Sequence, residues 1–382
     1  MNRLRVAVNM TWCIPGRVGG SEEYLCRQLL GLPSEPFSVE TFVPQGFRAA
    51  HPEIVERHTV TELPHDSTSR GHRVWSESTW LYRRTESFDL VHHGGGTIPM
   101  RTRRPVVLTI HDLQYLTFPQ YFRTARRVYL QGVMPRSARR ADVITVPSEF
   151  VRRSVVEAYG IDSDRIVVVP HGVEHSLGRN ATDPDTLRRK YGLGQGPIVV
   201  MPAVTHPHKG HQFLLDVMER SWRKAGLTLV LIGGAGLAEN EVARRATSAG
   251  LRQCVVKLGR VPADDRDGLV AMAEAMAFPS EYEGFGAPVI EAMALGTPVV
   301  VSDRTCLPDI VGDAGIVLPL DRELWAGALD VVRTRRVELV ARGRRRIEEF
   351  SAEASGRAVA AAYGRAMEFS GVSEQSLRSE PR

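Results

Sequence analysis

The chain is short of cysteine, of lysine and of long apolar runs, and each shortage removes a class of protein. Its four cysteines, Cys13, Cys26, Cys254 and Cys306, stand far apart with no Cys-x-x-Cys pair. That spacing suits neither a zinc site nor a disulfide framework, so free thiols in a reducing compartment are expected. No stretch approaches the ~20 apolar residues of a membrane-spanning helix. The opening residues, Met1-Asn2-Arg3-Leu4-Arg5, lead into one short apolar run and then Pro15-Gly16. This is unlike a secretory signal, and a soluble cytoplasmic protein is the expectation. Lysine occurs only at 190, 209, 224 and 257, so arginine carries nearly all the positive charge behind the net +5. A mild basic balance fits anionic ligands, nucleic acid or an acidic membrane surface, and does not choose among them.

What is present is ample for folding. With 382 residues and 43% hydrophobic content, the chain is two ordinary domains long, each able to bury a core without metals or disulfides. Two strand-helix series follow one another. In the first, strands are predicted at 4–9, 38–43, 88–92, 105–110, 142–146 and 165–170. Val106-Val107-Leu108 and Val167-Val168-Val169 are continuous apolar runs, as in parallel strands covered on both faces. A polar stretch over 175–185, with Gly178, Asn180, Asp183 and Pro184, has linker composition. The second series predicts strands near 197–201, 227–232, 253–258, 275–278, 298–301 and 315–318. Helices are predicted over 207–224, 236–250, 263–274, 287–295 and 322–349. Such alternation implies two doubly wound α/β domains, at 1–175 and 190–350. A helix over 351–370 is expected to return to the first domain, and 371–382 to be a flexible tail. Ligands bind outside the carboxyl ends of the strands in such sheets, so a cleft between two facing sheets is the expected site.

The most informative segment runs from Phe278 to Gly296. A strand ends at Pro279, a glycine-rich loop follows, and Pro288 falls in the first turn of an apolar helix, where proline is tolerated. Glu291 sits in the middle of that helix, and side chains on a helix tilt toward its N-terminus. Glu291 is thereby aimed at the Gly284-Phe285-Gly286 loop, where open amides suit a phosphate. A buried carboxylate needs donors, and the two hydroxyls of a ribose would supply them. The plainer reading makes Glu291 the partner of an arginine and Glu283 a surface loop residue.

Glu283 and Glu291, with seven residues between them, resemble the E-x7-E signature of retaining GT-B glycosyltransferases, in particular family 4. The words around them are similar too: Phe278-Pro279-Ser280 and Gly284-Phe285-Gly286, then Gly296-Thr297-Pro298-Val299-Val300 and Leu307-Pro308-Asp309. The resemblance implies two Rossmann-like domains facing across a cleft. It implies that Glu283 and the amides of Gly284, Phe285 and Gly286 contact a donor sugar while Glu291 holds the ribose.

Lys209 lies in Thr205-His206-Pro207-His208-Lys209-Gly210-His211, after the first strand of the second series and at the start of a helix. A cation there is unfavourable without an anion, which a bound diphosphate would provide, although a solvated lysine is the ordinary alternative. The family carries an arginine some six residues earlier, where this chain has Ala203. The clamp on the diphosphate would then be completed by His206, His208 or Thr205. His111, at the end of an apolar strand with Asp112 beside it, is placed by the resemblance near the reacting carbon of the sugar, against the alternative of a structural histidine bonded to backbone. The resemblance places the Gly19-Gly20 loop beneath the diphosphate and Gly259-Arg260-Val261 against the nucleotide base. Leu231-Ile232-Gly233-Gly234-Ala235-Gly236 lacks the full spacing of a dinucleotide fingerprint. The cluster Arg123, Arg126, Arg127, Arg136, Arg139 and Arg140 is either a solvated helix face or a contact with anionic lipid or a polyprenyl-diphosphate acceptor.

The resemblance implies transfer of a sugar from a nucleotide-sugar donor to a glycan or lipid-linked acceptor, with retention of configuration. No His/Cys cluster argues for a metal, and neither a metal, a further cofactor nor nucleic acid is expected. The Pro207-His208-Lys209-Gly210-His211 loop points to mannose from GDP-mannose. Two alternatives are a sugar-nucleotide epimerase of the same architecture and a catalytically silent nucleotide-binding homologue.

Overall fold

The computed structural model describes residues 3–15, 20–64 and 70–371. The chain forms two compact units, the first running to Gly172 and resuming at Ser351, the second spanning Val173–Phe350. Each is built on one parallel sheet.

The first sheet comprises β1 (Leu4–Asn9), β2 (Phe37–Val43), β3 (Thr59–Glu62), β4 (Leu90–His93), β5 (Val106–Thr109), β6 (Val143–Val146) and β7 (Ile166–Val168), in the order β3-β2-β1-β4-β5-β6-β7. β1, β4, β5 and β6 are buried almost throughout, which is why they read as unbroken apolar runs. β3 was not predicted, and the reason is local. It is a four-residue edge strand whose one buried residue is Val60.

The helix Ala352–Phe369 belongs to this first unit. Its Gly356 lies so close to Gly31, at the end of the helix Gly20–Gly31, that an added Cβ would come within 2.0 Å of the Gly31 backbone. Polar ties fix it further. The Tyr363 hydroxyl meets His92 Nδ1 at 2.9 Å, His92 Nε2 meets the Thr109 hydroxyl at 2.7 Å, and Thr109 meets Thr145 at 2.8 Å. Three neighbouring strands and the last helix are thereby joined through side chains in the dry interior.

The second sheet comprises β8 (Ile198–Pro202), β9 (Thr228–Ile232), β10 (Val255–Gly259), β11 (Ala275–Phe278), β12 (Val299–Ser302) and β13 (Ile316–Leu318), in the order β10-β9-β8-β11-β12-β13. Its core packs Val199, Leu214, Met218, Leu229, Trp222, Trp325 and Leu329 together. Each such side chain contributes roughly 1.5–3 kcal/mol when taken fully out of water.

The stretch over 175–185 is no linker. It is bound into the second unit, with the Gly178 N–H donating to Asp267 at 3.0 Å and the Thr182 hydroxyl to Asp265 at 2.7 Å. Asp183 then caps the helix Pro184–Tyr191, accepting from the Thr186 N–H at 3.0 Å. Hydrogen bonds from Lys190, Thr182 and Tyr191 hold the Asp265 carboxyl down at about 2. Glycine, asparagine and proline marked turns correctly there, but turn composition does not reveal whether a turn is anchored.

Candidate functional site

In each sheet the strand order reverses once, between β1 and β4 in the first and between β8 and β11 in the second. Loops leaving the carboxyl ends of strands at such a reversal diverge, and the gap between them is where ligands of open α/β sheets sit. In the second unit those two loops carry Lys209 and Glu283.

Lys209 closes a short turn, Pro207–Lys209, and the helix His211–Arg220 follows after Gly210. Its ammonium donates to Glu283 Oε1 at 2.7 Å and Oε2 at 2.8 Å. The pair is mostly enclosed, with 19% and 10% of the two side chains exposed. Glu283 Oε1 also accepts from the Ser280 hydroxyl at 2.6 Å. The next turn of chain, after β12, holds its peptide groups: the Glu283 N–H donates to the Thr305 hydroxyl at 3.1 Å, and the Cys306 thiol donates to the Glu283 carbonyl at 3.3 Å. Glu283 is therefore no surface residue. Ser280 stood within the segment singled out from sequence, whereas Thr305 and Cys306 are brought in by strand adjacency and carry no local signal.

Gly286 caps the helix Ala287–Ala294 in the left-handed conformation, with φ 90°, and Pro288 lies in the first turn. No side chain caps this end. Gly284 is half-buried, Gly286 buried, and Phe285 is buried edge-on against Phe350 at 5.6 Å. Val289, Ile290, Ala292 and Met293 face the interior, while Glu291 is half-buried on the side left over. The helix is thus less enclosed around Glu291 than its apolar sequence implied.

Other expected site residues have prior commitments. The Thr205 hydroxyl donates to Glu239 at 2.7 Å and accepts from the Gly236 N–H at 2.8 Å. It clasps the Gly233–Gly236 turn and has little left for a ligand. Gly259, at φ 71°, ends β10 in a register irregularity, its carbonyl accepting from the Gly233 N–H at 2.8 Å. Arg260 is exposed beside Gly234, and Val261 is half-buried. Around Lys209, burial and then the lysine's own charge push the His208 imidazole down to about 3, and burial pushes His211 down to about 4. His206 is lowered by the same two causes, and its ring stacks on His208 at 5.7 Å.

In the first unit, His111 follows β5 and faces the end of β4. Its Nε2 bonds the Gly94 carbonyl at 2.8 Å. A carbonyl only accepts, so Nε2 carries the proton and Nδ1 is the ring's remaining polar atom. Trp12 and Tyr24 flank the ring, with centroids 5.8 and 5.6 Å away, and burial holds its pKa below the ordinary value. Asp112 accepts from the Gln114 N–H at 2.9 Å and serves the local turn. Gly20 is the exposed first residue of the helix Gly20–Gly31 rather than part of a loop, and Gly19 lies outside the described residues. Of the arginine cluster, Arg123, Arg126, Arg136 and Arg139 are exposed on or beside the helix Thr124–Arg140, together with Val128 and Tyr129. Arg140 instead clasps the Pro99 and Met100 carbonyls at 2.8 and 3.2 Å.

The sequence profile of the family described as glycosyl transferases group 1 matches residues 183–331, and that of glycosyltransferase family 4 matches residues 18–177. The chain belongs to the group 1 glycosyltransferases. This group 1 family member is 32% identical over 237 residues to the O-antigen chain mannosyltransferase B of Escherichia coli, covering 60% of this chain and 61% of that one. It is 32% identical over 183 residues to a GDP-mannose-dependent alpha-(1-6)-phosphatidylinositol monomannoside mannosyltransferase of Mycolicibacterium smegmatis, covering 45% and 47%. The matches therefore span less than two thirds of these relatives' length. Among solved structures, it resembles Anabaena HepE in complex with UDP and glucose, with a TM-score of 0.74 at 20% identity over 95% of this chain and 100% of that one. A glycosyltransferase from Rickettsia africae gives a TM-score of 0.70 at 18% identity, covering 98% and 100%. The fold is the pair of Rossmann-like α/β domains of GT-B glycosyltransferases. Among the described residues, no helix is long and apolar enough to cross a membrane, and no cluster of His, Cys, Asp and Glu has the geometry to hold a metal ion.

Proposed function

We propose that this protein moves a sugar, mannose in the first instance, from a nucleoside-diphosphate donor to a glycan, glycolipid or polyprenyl-linked acceptor, with retention of configuration and without a bound metal. The observation that carries the reading is the Lys209–Glu283 pair at the strand-order reversal of the second sheet. The names of the relatives support mannose and a glycan or lipid acceptor, and the HepE complex supports a nucleotide-linked sugar.

In this reading Lys209 and the amides at the Ala287–Ala294 N-terminus stabilise charge on the departing diphosphate. Glu283 takes the sugar hydroxyls, Glu291 the ribose hydroxyls, and Gly259–Val261 the base. His111 serves the sugar through Nδ1, because Nε2 is already committed to Gly94. In a front-face substitution the bond from the anomeric carbon to phosphate oxygen breaks and the bond to the acceptor oxygen forms on the same side. The acceptor's proton passes to the departing phosphate oxygen, so no covalent enzyme intermediate is needed. The exposed arginines of the helix Thr124–Arg140, with Val128 and Tyr129 between them, would meet an anionic lipid surface.

The test begins with a thermal-shift screen of GDP-, UDP- and dTDP-sugars, since a bound donor raises the melting temperature by mass action. NMR of the product made from the best donor then reads the anomeric configuration, and an inverted product would refute the proposed chemistry. Incubation with donor alone separates the alternatives: an epimerase alters the donor sugar, and a silent homologue binds nucleotide without turnover.

A further inference from the structure

Thr305 is the one non-glycine residue among those described with a positive φ, 55°. For a β-branched side chain that backbone is a genuine outlier, and outliers of this kind persist where the surroundings require them. Its place is informative. Thr305 sits half-buried in the turn after β12, and its Oγ1 accepts the Glu283 N–H at 3.1 Å. The next residue, Cys306, donates its thiol to the Glu283 carbonyl at 3.3 Å and to the Phe285 carbonyl at 3.2 Å. Ser302, at the end of β12, donates to the Ser280 carbonyl. Ser280 in turn supports the Glu283 carboxylate at 2.6 Å. One short turn therefore grips the backbone of Glu283 from both sides, while Ser280 and Lys209 hold its side chain.

Glycine would occupy the left-handed position without strain, and it would supply no hydroxyl. The chain instead holds a strained threonine whose hydroxyl accepts from the Glu283 amide. We infer that Thr305 is a positioning residue for the donor sugar, its hydroxyl fixing the Glu283 peptide and with it the place at which the carboxylate meets the sugar. The inference rests on the donor reading of Glu283 given above.

Substitution separates positioning from simple structure, because the two make opposite demands on glycine. Thr305→Gly removes strain and hydroxyl together, Thr305→Val removes the hydroxyl alone, and Thr305→Ser keeps it. The readout is calorimetric affinity for GDP and GDP-mannose, and for UDP and UDP-glucose, whose ratio within each pair isolates the contribution of the sugar. Thr305→Gly is expected to melt no lower than the parent and to bind the bare nucleotide within about twofold, while the sugar's contribution falls by about fivefold or more, ~1 kcal/mol. Thr305→Val should lose the same contribution and Thr305→Ser should retain it. An unchanged ratio in the glycine and valine variants overturns the inference, as does a parent protein to which the sugar adds no affinity. If the parent binds neither nucleotide pair, the donor reading itself falls, and the inference with it.

Discussion

Lys209 and Glu283, 74 residues apart in sequence, meet through two hydrogen bonds of 2.7 and 2.8 Å. Neither charge is left alone in the protein, and together they form a dipole that a donor with a negative diphosphate and a hydroxylated sugar can enter from two ends. In the proposed donor reading the ammonium would take the phosphate and the carboxylate the hydroxyls, so that one pair would sort the two halves of a nucleotide sugar.

The same pairing predicts an asymmetry in stability. Lys209→Met leaves a nearly enclosed carboxylate without its cation and is expected to cost about 1–3 kcal/mol in urea denaturation. Glu283→Gln combined with Lys209→Met should cost less than Lys209→Met alone, because the stranded charge has been removed. A loss in the double variant equal to the sum of the losses in Lys209→Met and Glu283→Gln would mean that the pair is not coupled.

Gly210 tests the positioning of the lysine. Its φ is 78°, and a Cβ there would lie 2.2 Å from the Pro279 carbonyl oxygen. Gly210→Ala therefore forces the Lys209 turn away from β11, with an expected loss of about 1–3 kcal/mol. Donor binding in calorimetry should fall with it, and an alanine variant that binds donor normally would show that this close approach is dispensable.

Much of this was legible in the sequence, and the exceptions have physical causes. Strands buried on both faces announced themselves as valine-rich runs, and the Gly-Phe-Gly segment between two glutamates marked the loop whose Glu283 meets Lys209. β3 could not be seen, because an edge strand with one buried residue has no apolar pattern. The Thr205 hydroxyl looked available and is spent on Glu239 and Gly236, since its partners arrive from β9 and beyond. Thr305 and Cys306 reach Glu283 only because β11 and β12 are neighbours. Short-range spacing carries capping and turn chemistry, whereas contacts across strands depend on sheet order.

Buried histidines set the response to acid. Burial holds His92, His93 and His208 at about 3 and His211 at about 4. These values lie below the ~6.5 of an exposed imidazole, so below that pH the unfolded chain takes up protons that the folded chain refuses. Their contribution to stability is complete above about pH 6.5 and is lost as pH falls toward 3–4. Unfolding free energy measured in urea should therefore drop between about pH 7 and pH 5, and His211→Gln should flatten that slope. A slope unchanged by the substitution would remove His211 from the account.

The exposed arginines make a prediction about surfaces. Replacing Arg123, Arg126, Arg136 and Arg139 together with serine should abolish sedimentation with phosphatidylglycerol vesicles at low salt. Each basic residue near such a surface contributes about 1 kcal/mol. Binding by the parent should weaken as ionic strength rises. Equal sedimentation of parent and variant would assign the cluster to a merely solvated face.

The most direct test is calorimetric titration of the parent, Lys209→Ala and Glu283→Ala with GDP-mannose and UDP-glucose. The parent is expected to bind at least one of them, and each variant to bind it about tenfold or more weakly, a loss of ~1.4 kcal/mol. Undiminished binding in both variants, or a parent that binds neither sugar nucleotide, would contradict a donor site built on this lysine and this glutamate.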